Sequence, residues 1–420
     1  MAAKGSTRRI SAAKAAETRT GYVSNGAGDP DGRRGAQVVP AWTDGASYLT
    51  AEVSASAVRH NLNLMRRQVG TDTRLCAVVK ADCYGHGLRT LLETIAAGAD
   101  AVGVTTPVEA FAVRNLGYAG PVLMFFTPCA SENGESLQGL LRELIARDIT
   151  LTLTSTAAAQ PLAEAAGAVG KKAKVHIKID TGMGRSGVPP DEAPDLVSRA
   201  RCEKTLHLTG LYTHFAAADA KDKTFAEEQF RRFIYAADSC GETKGLTLHT
   251  ANSAAVLDLP ETHLDMVRPG IALYGYQPSD EMRNRLELRP SLRLTGRLMQ
   301  VKHVPPGSRC GYGLTYTFER PSVVGLVPIG YADGYLRSLS NRATMRVRGR
   351  DVPVRGRVSM DQTIVDLTDV SGARVGDEVE IVSPDPKAPH SVENLARLAG
   401  TIPYEVTCRL GERVRRVLVE

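Results

Sequence analysis

A lysine that closes an apolar run and opens a glycine-bearing loop is the first place in this sequence where side-chain chemistry can be built. In Val78-Val-Lys80-Ala-Asp-Cys-Tyr84-Gly-His86-Gly the amine of Lys80 follows the five apolar residues 75–79 and precedes two glycines. A partly desolvated amine gives up its proton more easily and can form a Schiff base. A lysine at a strand end is more often a plain surface charge, so the surroundings have to decide. A second cluster, Lys178-Ile-Asp180-Thr-Gly-Met-Gly-Arg185-Ser-Gly, packs charges and glycines after another apolar run. No Gly-Lys-Ser/Thr comes after it, so it is not a phosphate-binding Walker loop. Its glycines let backbone approach a ligand, and Arg185 has the fork geometry to grip a carboxylate. A tight turn with an internal salt bridge accounts for the same spacing equally well.

Further along stand His214, then His249 with Asn252 and Ser253, then Arg268-Pro-Gly270-Ile271. His214 by itself reads as a satisfied interior histidine. The last third adds Cys310-Gly-Tyr312-Gly, Ile329-Gly-Tyr331-Ala-Asp333-Gly-Tyr335 and Val358-Ser-Met360-Asp361-Gln362. Tyrosines flanked by glycines, with no apolar stripe around them, line a site more readily than they fill a core, although exposed hairpin turns are an alternative.

These residues need elements to hold them. Apolar runs at 75–80, 101–105, 121–126, 150–154, 174–179, 208–213, 247–249 and 266–268 alternate with segments such as 107–116, 132–146 and 224–237, whose apolar residues recur every three or four positions. Eight strand-helix units predict a (β/α)8 barrel of the α/β class. Lys80 then lies at the carboxyl end of the first strand, where barrels carry their chemistry, and the residues after the seventh and eighth runs fit a phosphate site. Beyond Arg289 short Val-rich strands punctuated by Gly and Pro, at 292–304, 322–328, 343–347 and 378–382, predict a mainly β C-terminal domain, interrupted by a helix at 392–399. The reading is an N-terminal extension over 1–46, a barrel over 47–288 and a β domain over 289–420.

Composition narrows the class. Of 420 residues 43% are apolar and 23% charged, as in a globular protein, and no apolar run reaches bilayer length. The net charge is +6, but the first 46 residues hold seven Lys/Arg against four Asp/Glu, so half of the excess sits in the extension. The remaining charges alternate in sign with no compact basic block, which argues against a nucleic-acid partner, as the lack of a bilayer-length run argues against a membrane. That extension lacks the apolar core of a secretory signal, though its basic character loosely fits an organellar transit peptide. Seven scattered cysteines without a C-x-x-C pair suggest reduced thiols and a cytoplasmic setting.

Taken in order, Val-Val-Lys-Ala-x-x-Tyr-Gly-His-Gly, Asp-Thr-Gly-Met-Gly-Arg-x-Gly, Arg-Pro-Gly-Ile-x-Leu-Tyr-Gly, Gly-Tyr-Ala-Asp-Gly-Tyr and Met-Asp-Gln resemble the alanine racemases, over the stretch from Tyr48 to the end. The resemblance implies a pyridoxal 5'-phosphate enzyme that interconverts L-alanine and D-alanine, supplying D-alanine for peptidoglycan. It implies that Lys80 carries the cofactor and acts as the base on one face, while Tyr312 of the partner subunit in a homodimer is the base on the other. Two bases are needed because inversion removes a proton from one side of Cα and returns one to the other. Arg268 would face the pyridine nitrogen, and His214 would orient Arg268 and Tyr312. Tyr84, Asn252, Ser253, Gly270, Ile271 and Tyr404 would surround the phosphate. Arg185, with Met360 and Tyr331 from the second subunit, would hold the substrate. Lys178 matches a position that in some members carries a carbamate bonded to the arginine matching Arg185. Asp82 and Cys83 depart where the cofactor loop varies, and Ser359 precedes Met360.

Rival readings keep the barrel and change the chemistry. A decarboxylase or aldolase fits poorly with Arg268 and Tyr312 together, and a racemase of a larger amino acid depends on the room near Tyr331 and Met360. A cofactor-carrying barrel has little use for the β domain. A metal-dependent hydrolase built on His214, His249 and Asp180 leaves Lys80 and the tyrosines unexplained.

Overall fold

The computed structural model describes residues 48–128 and 136–420. The extension at 1–46 and the start of the helix expected over 132–146 therefore lie outside the described residues.

Strand β1 (Thr50–Ser54) comes first, and the chain then builds β2 (Arg74–Val78), β3 (Ala101–Val104), β4 (Val122–Met124), β5 (Ile149–Leu153), β6 (Ala173–Lys178), β7 (Leu206–Tyr212), β8 (Thr247–His249) and β9 (Met266–Val267). Strands β2 to β9 form one parallel sheet in the order β8-β7-β6-β5-β4-β3-β2-β9. All eight coincide with the apolar runs read from the sequence. The run character has a physical cause: β3, Ala-Val-Gly-Val, is buried on both faces, because helices cover the outside while side chains fill the inside. The sheet nearly closes between β8 and β9, where Asn252 and Arg268 make an isolated parallel bridge. The Asp265 carboxylate also accepts the Leu248 N–H at 2.7 Å. Closure thus rests on residues flanking two very short strands, and it carries Arg268 into the barrel mouth.

Several helices begin where a capping side chain stands. Ser54 accepts from Ala57 N–H at the head of Ala55–Val69, and Ser136 accepts from Gly139 N–H at the head of Leu137–Ala146. Thr106 and Glu109 form a reciprocal capping box on Pro107–Asn115. No helix among the described residues is long and apolar enough to cross a membrane.

The rest of the chain forms β10 (Leu292–Arg297), β11 (Gln300–Val304), β12 (Arg309–Cys310), β13 (Tyr316–Thr317), β14 (Ser322–Val327), β15 (Thr344–Val347), β16 (Arg350–Arg355), β17 (Thr363–Asp366), β18 (Glu378–Val382) and β19 (Arg415–Val419). A nine-stranded sheet runs β11-β14-β17-β16-β15-β18-β10-β1-β19, and β12 pairs with β13 in a separate ribbon. The single strand expected over 292–304 is two, because the chain changes partners at Leu298 and Met299. Leu298 N–H bonds to Asp377 O and Met299 N–H to Leu326 O, which moves the chain from β18 to β14. The late helix, Val392–Ala399, stands where expected.

Strand β1 escaped the sequence reading, since five residues directly before a helix leave little room for a period-two pattern. It lies between β10 (antiparallel) and β19 (parallel), with Ala51 and Val53 fully buried. Arg293 on β10 ties this seam together, bonding Glu52 at 3.0 Å, Glu378 at 2.6 Å and Glu380 at 2.8 Å.

A fully buried ion pair stands under the loops of the barrel mouth. Lys223 Nζ lies 2.6 Å from Asp258, with both side chains at 0% exposure, and donates to Ala218 O at 2.7 Å. The same carboxylate accepts the N–H groups of Arg283 and Asn284. Breaking such a pair strands a charge without water, so Lys223→Met is expected to cost about 3–5 kcal/mol in chemical denaturation, with partial recovery in Lys223→Met/Asp258→Asn. A loss below about 1 kcal/mol rules this pair out as a lock on the mouth.

Candidate active site

Strand β2 delivers Lys80 to the barrel mouth half-buried. Burial and the nearby Arg185 cation both lower the pKa of its amine, against the opposing charge of Glu109. The chain then does something costly. Ala81, Asp82, Cys83 and Tyr84 all adopt left-handed backbone, with φ of 49°, 53°, 54° and 55°. Each non-glycine residue there gives up about 1–2 kcal/mol, so the turn exists only because its surroundings fix it. Asp82 accepts the Leu88 N–H at 2.6 Å, and Arg416 donates to Gly85 O at 3.2 Å. Gly85 has φ of 82°, and a Cβ there would sit 1.9 Å from Thr407 O, so only glycine fits. His86 Nδ1 lies 3.0 Å from the carbonyl oxygens of both Cys83 and Tyr84, so that nitrogen carries the proton. Burial lowers its pKa to about 4, leaving it neutral.

Arg268 is buried at the centre of the mouth. Its Nη1 donates to His249 Nδ1 at 2.7 Å, and its Nη2 to Thr213 O at 2.7 Å and Thr250 O at 3.0 Å, with His214 Nδ1 at a longer 3.5 Å. Among the described residues it forms no ion pair, so every acceptor around it is neutral. Burial lowers its pKa to about 10, which still leaves a full cation at neutral pH. An arginine can only donate, so its contact assigns the tautomers behind it. His249 Nδ1 accepts, the proton therefore sits on Nε2, and that Nε2 donates to His176 Nδ1 at 2.8 Å. Burial and Arg268 hold both rings neutral: His249 falls well below the usual histidine range, while burial and then Arg74 and Arg268 take His176 to about 3. Tyr212 stacks on His249 at 4.7 Å and 8°. His249 thus backs Arg268, with both of its ring nitrogens engaged.

Beside it, residues from four loops converge. Ser253 Oγ accepts the Gly270 N–H at 2.8 Å, and Asn252 spends its carbonyl capping Ser253–Asp258, which leaves its amide NH2 to offer a ligand. Tyr84 and Tyr404 approach each other at 6.1 Å, both with pKa raised by burial and so both protonated donors. A Cβ at Gly270 would fall 2.3 Å from Tyr84 Oη, so the glycine is what lets the phenol in. Ile271 closes the floor, fully buried.

Lys178 is buried, donates to Ser186 Oγ at 2.8 Å and lies 6.0 Å over the Tyr212 ring. Burial, then Arg185 and Arg268, lower its pKa to about 8. Asp180, by contrast, is used up locally, accepting the N–H groups of Gly182, Gly184 and Arg185. With Asp180 so committed and His249 bonded through both nitrogens, the hydrolase reading loses its ligands; no metal-holding cluster of His, Cys, Asp or Glu exists among the described residues.

The remaining expected residues stand on the second domain. Tyr312 rides the turn between β12 and β13, 72% exposed. Tyr331 and Met360, 44% and 53% exposed, belong to two loops that lock together. Tyr331 N–H bonds to Ser359 O and Ala332 N–H to Met360 O, both at 3.0 Å. Arg413 forks across them, holding Asp333 at 2.9 Å and Asp361 at 2.8 Å. So the chain itself gathers Lys80, Tyr84, Lys178, Arg185, His214, Asn252, Ser253, Arg268, Gly270, Ile271 and Tyr404 at the mouth, and presents Tyr312, Tyr331 and Met360 outward. His176, Tyr212, Glu109 and Arg413 were missed. Only His176, three residues from the end of an apolar run, offered a signal, and that signal is shared with any interior histidine.

The barrel residues 53–278 match the model of the alanine racemase N-terminal domain, and 291–418 that of the alanine racemase C-terminal domain. The alanine racemase of Desulfovibrio desulfuricans is 44% identical over 376 residues, covering 88% of this chain and 98% of its own. The solved alanine racemase of Streptomyces coelicolor A3(2) is 37% identical with a TM-score of 0.82, covering 89% and 98%. That of Bacillus anthracis, solved with bound L-Ala-P, is 29% identical with a TM-score of 0.79, covering 89% and 95%.

Replacing His249 with a hydrocarbon of similar bulk tests the arginine network. His249→Leu leaves a buried guanidinium N–H without an acceptor and is expected to lower unfolding stability by at least about 2 kcal/mol, while His249→Asn, which keeps an acceptor, loses less. Equal losses for the two variants contradict the assigned tautomers.

Proposed function

The chain belongs to the alanine racemase family, and on that premise we propose how its own residues interconvert L-alanine and D-alanine. The activity is that of an isomerase, and the D-alanine formed is taken to serve peptidoglycan synthesis. The observation that carries the residue-level reading is the meeting, at one barrel mouth, of a half-buried amine with lowered proton affinity and a buried guanidinium facing only neutral acceptors.

The residues present fit pyridoxal 5'-phosphate. Tyr84, Asn252, Ser253, Gly270, Ile271 and Tyr404 would hold its phosphate, Lys80 its aldehyde carbon, and Arg268 its ring nitrogen. Three acceptors leave the Nε–H and one Nη1–H of Arg268 for that nitrogen. When bound, the cofactor acidifies the Cα–H bond of the amino acid. Arg268, which can donate but not accept a proton, would hold the ring nitrogen as an acceptor, which would favour prompt return of a proton to Cα over side reactions.

Lys80 Nζ takes or gives the proton on one face. The hydroxyl of Tyr312 of the partner subunit does so on the other, oriented by His214, whose ring burial and Arg268 keep neutral. Arg185, which makes no side-chain hydrogen bond among the described residues, is free to grip the substrate carboxylate. Tyr331 and Met360 bound its side chain from the partner. The exposure of Tyr312, Leu314, Tyr331 and Met360 on one domain supports a homodimer with shared sites. In this reading 47–288 is the cofactor-binding barrel and 289–420 the domain that supplies the second base. Lys178, with an amine near half-neutral at pH 8, is placed to add to carbon dioxide, forming an N–C bond and releasing a proton; the carbamate would stand as an anion beside Arg185.

Mixing two dead variants tests the shared site. Lys80→Ala and Tyr312→Phe should each lose at least about 100-fold in kcat. Combined and allowed to exchange subunits, they should regain about a quarter of the wild-type rate, because half the dimers are mixed and each mixed dimer has one intact site. If both bases came from one chain, no activity would return. For Lys178, protein equilibrated with carbon-13 bicarbonate should show a carbamate carbonyl resonance that Lys178→Met lacks; its absence from the wild type removes the carbamate.

A further inference from the structure

Glu109 makes a contact its local role does not require. As the third residue of Pro107–Asn115 it completes the capping box with Thr106, and one oxygen, Oε2, accepts the N–H groups of Thr105 at 2.8 Å and Thr106 at 2.9 Å. That oxygen alone satisfies the cap. The other, Oε1, accepts the Ala81 N–H at 2.7 Å, and this is the peptide that joins Lys80 to the strained turn. One carboxylate therefore bolts the ends of β2 and β3 together at the backbone of Lys80.

The placement matters because the strained turn begins at that peptide. Residues 81–84 are left-handed without a glycine among them, and a chain released from its supports relaxes toward the right-handed region. Asp82, Gly85 and Arg416 restrain the turn from its second residue onward. Among the described residues Glu109 is the one side chain bonded to the first peptide, whose plane sets the backbone rotation at Lys80 and with it the line along which Nζ points. The charged or titratable groups that face the amine are Arg185, Lys178 and His214 from the fifth- and sixth-strand loops, Cys408 from the C-terminal helix, and Glu109. Among them Glu109 is the one carboxylate.

We infer that Glu109 is a positioning residue for the racemisation, holding the Lys80 amine on its proton-transfer line and supplying the negative charge that opposes Arg185. This rests on the reading of Lys80 as the cofactor-bearing base.

Glu109→Gln and Thr106→Ala separate the two roles of the cap. Thr106→Ala should cost about 1 kcal/mol of stability by removing the acceptor of the Glu109 N–H, whereas Glu109→Gln keeps a side-chain oxygen for the cap and turns an amide NH2 toward the Ala81 N–H. Thr106→Ala should keep wild-type kcat. Glu109→Gln should lose roughly 10- to 100-fold in kcat with KM little changed, because misaiming a bound base slows the step without weakening binding. In the loaded Glu109→Gln protein the pH midpoint of the bound cofactor's absorption band should move to lower pH. In cofactor-free protein the amides of 81–84 should exchange hydrogen faster than in wild type and in Thr106→Ala. Wild-type kcat, midpoint and exchange in Glu109→Gln would overturn the inference. Borohydride reduction followed by peptide mass keeps it distinct from its premise: an adduct on Lys80 upholds the premise whatever Glu109 does, and an adduct elsewhere sinks both.

Discussion

A cation without an anion stands at the centre of this molecule, and most of the mouth is arranged around it. Burying a guanidinium costs several kcal/mol unless its donors are met, and Arg268 meets the cost with an imidazole and two backbone carbonyls. A carboxylate would have been cheaper. Its absence leaves a field that pushes protons off every neighbour: His214, His249, His176 and Lys178 all have lowered proton affinity, with burial and Arg268 among the causes for each. The three histidines are therefore neutral at neutral pH, and Lys178 holds its proton less tightly than an ordinary lysine.

Rigidity on one side of that field comes from strain. Four consecutive left-handed residues behind Lys80 are tolerable only where neighbours over-determine them. Two of those neighbours, Thr407 and Arg416, belong to the last stretch of the chain. The far sheet holds that stretch in place, because β19 pairs with β1, whose residues lead directly into the first helix of the barrel. The two domains are thus stitched at both termini of the described fold, and the stitch reaches the strained loop behind Lys80. The β domain positions the site from within its own chain as well as offering tyrosines outward.

The outward-facing set obeys a different logic. Tyr331 and Met360 sit on loops joined by backbone bonds, and Arg413 grips Asp333 and Asp361 beside them, so they move as one wall. Tyr312 projects from a two-stranded ribbon that little else buries. Large side chains held firm yet exposed are the surface on which the proposed second subunit would pack.

Much of this was legible in the order of residues. Apolar runs bounded by Gly and Asp marked all eight barrel strands, because a strand buried on both faces must be apolar throughout. Lys80, Arg268, Ser253 and Gly270 came from those strand ends, since a barrel's chemistry gathers there. What the order of residues did not contain is partner choice across long distances: that His249 serves Arg268 with His176 behind it, that Glu109 spends an oxygen on Ala81, that β1 crosses to the far sheet. Periodicity records which face of an element meets the core, a property of neighbours along the chain. Which donor finds which acceptor depends on separations set only when the elements pack, and there tertiary structure decided.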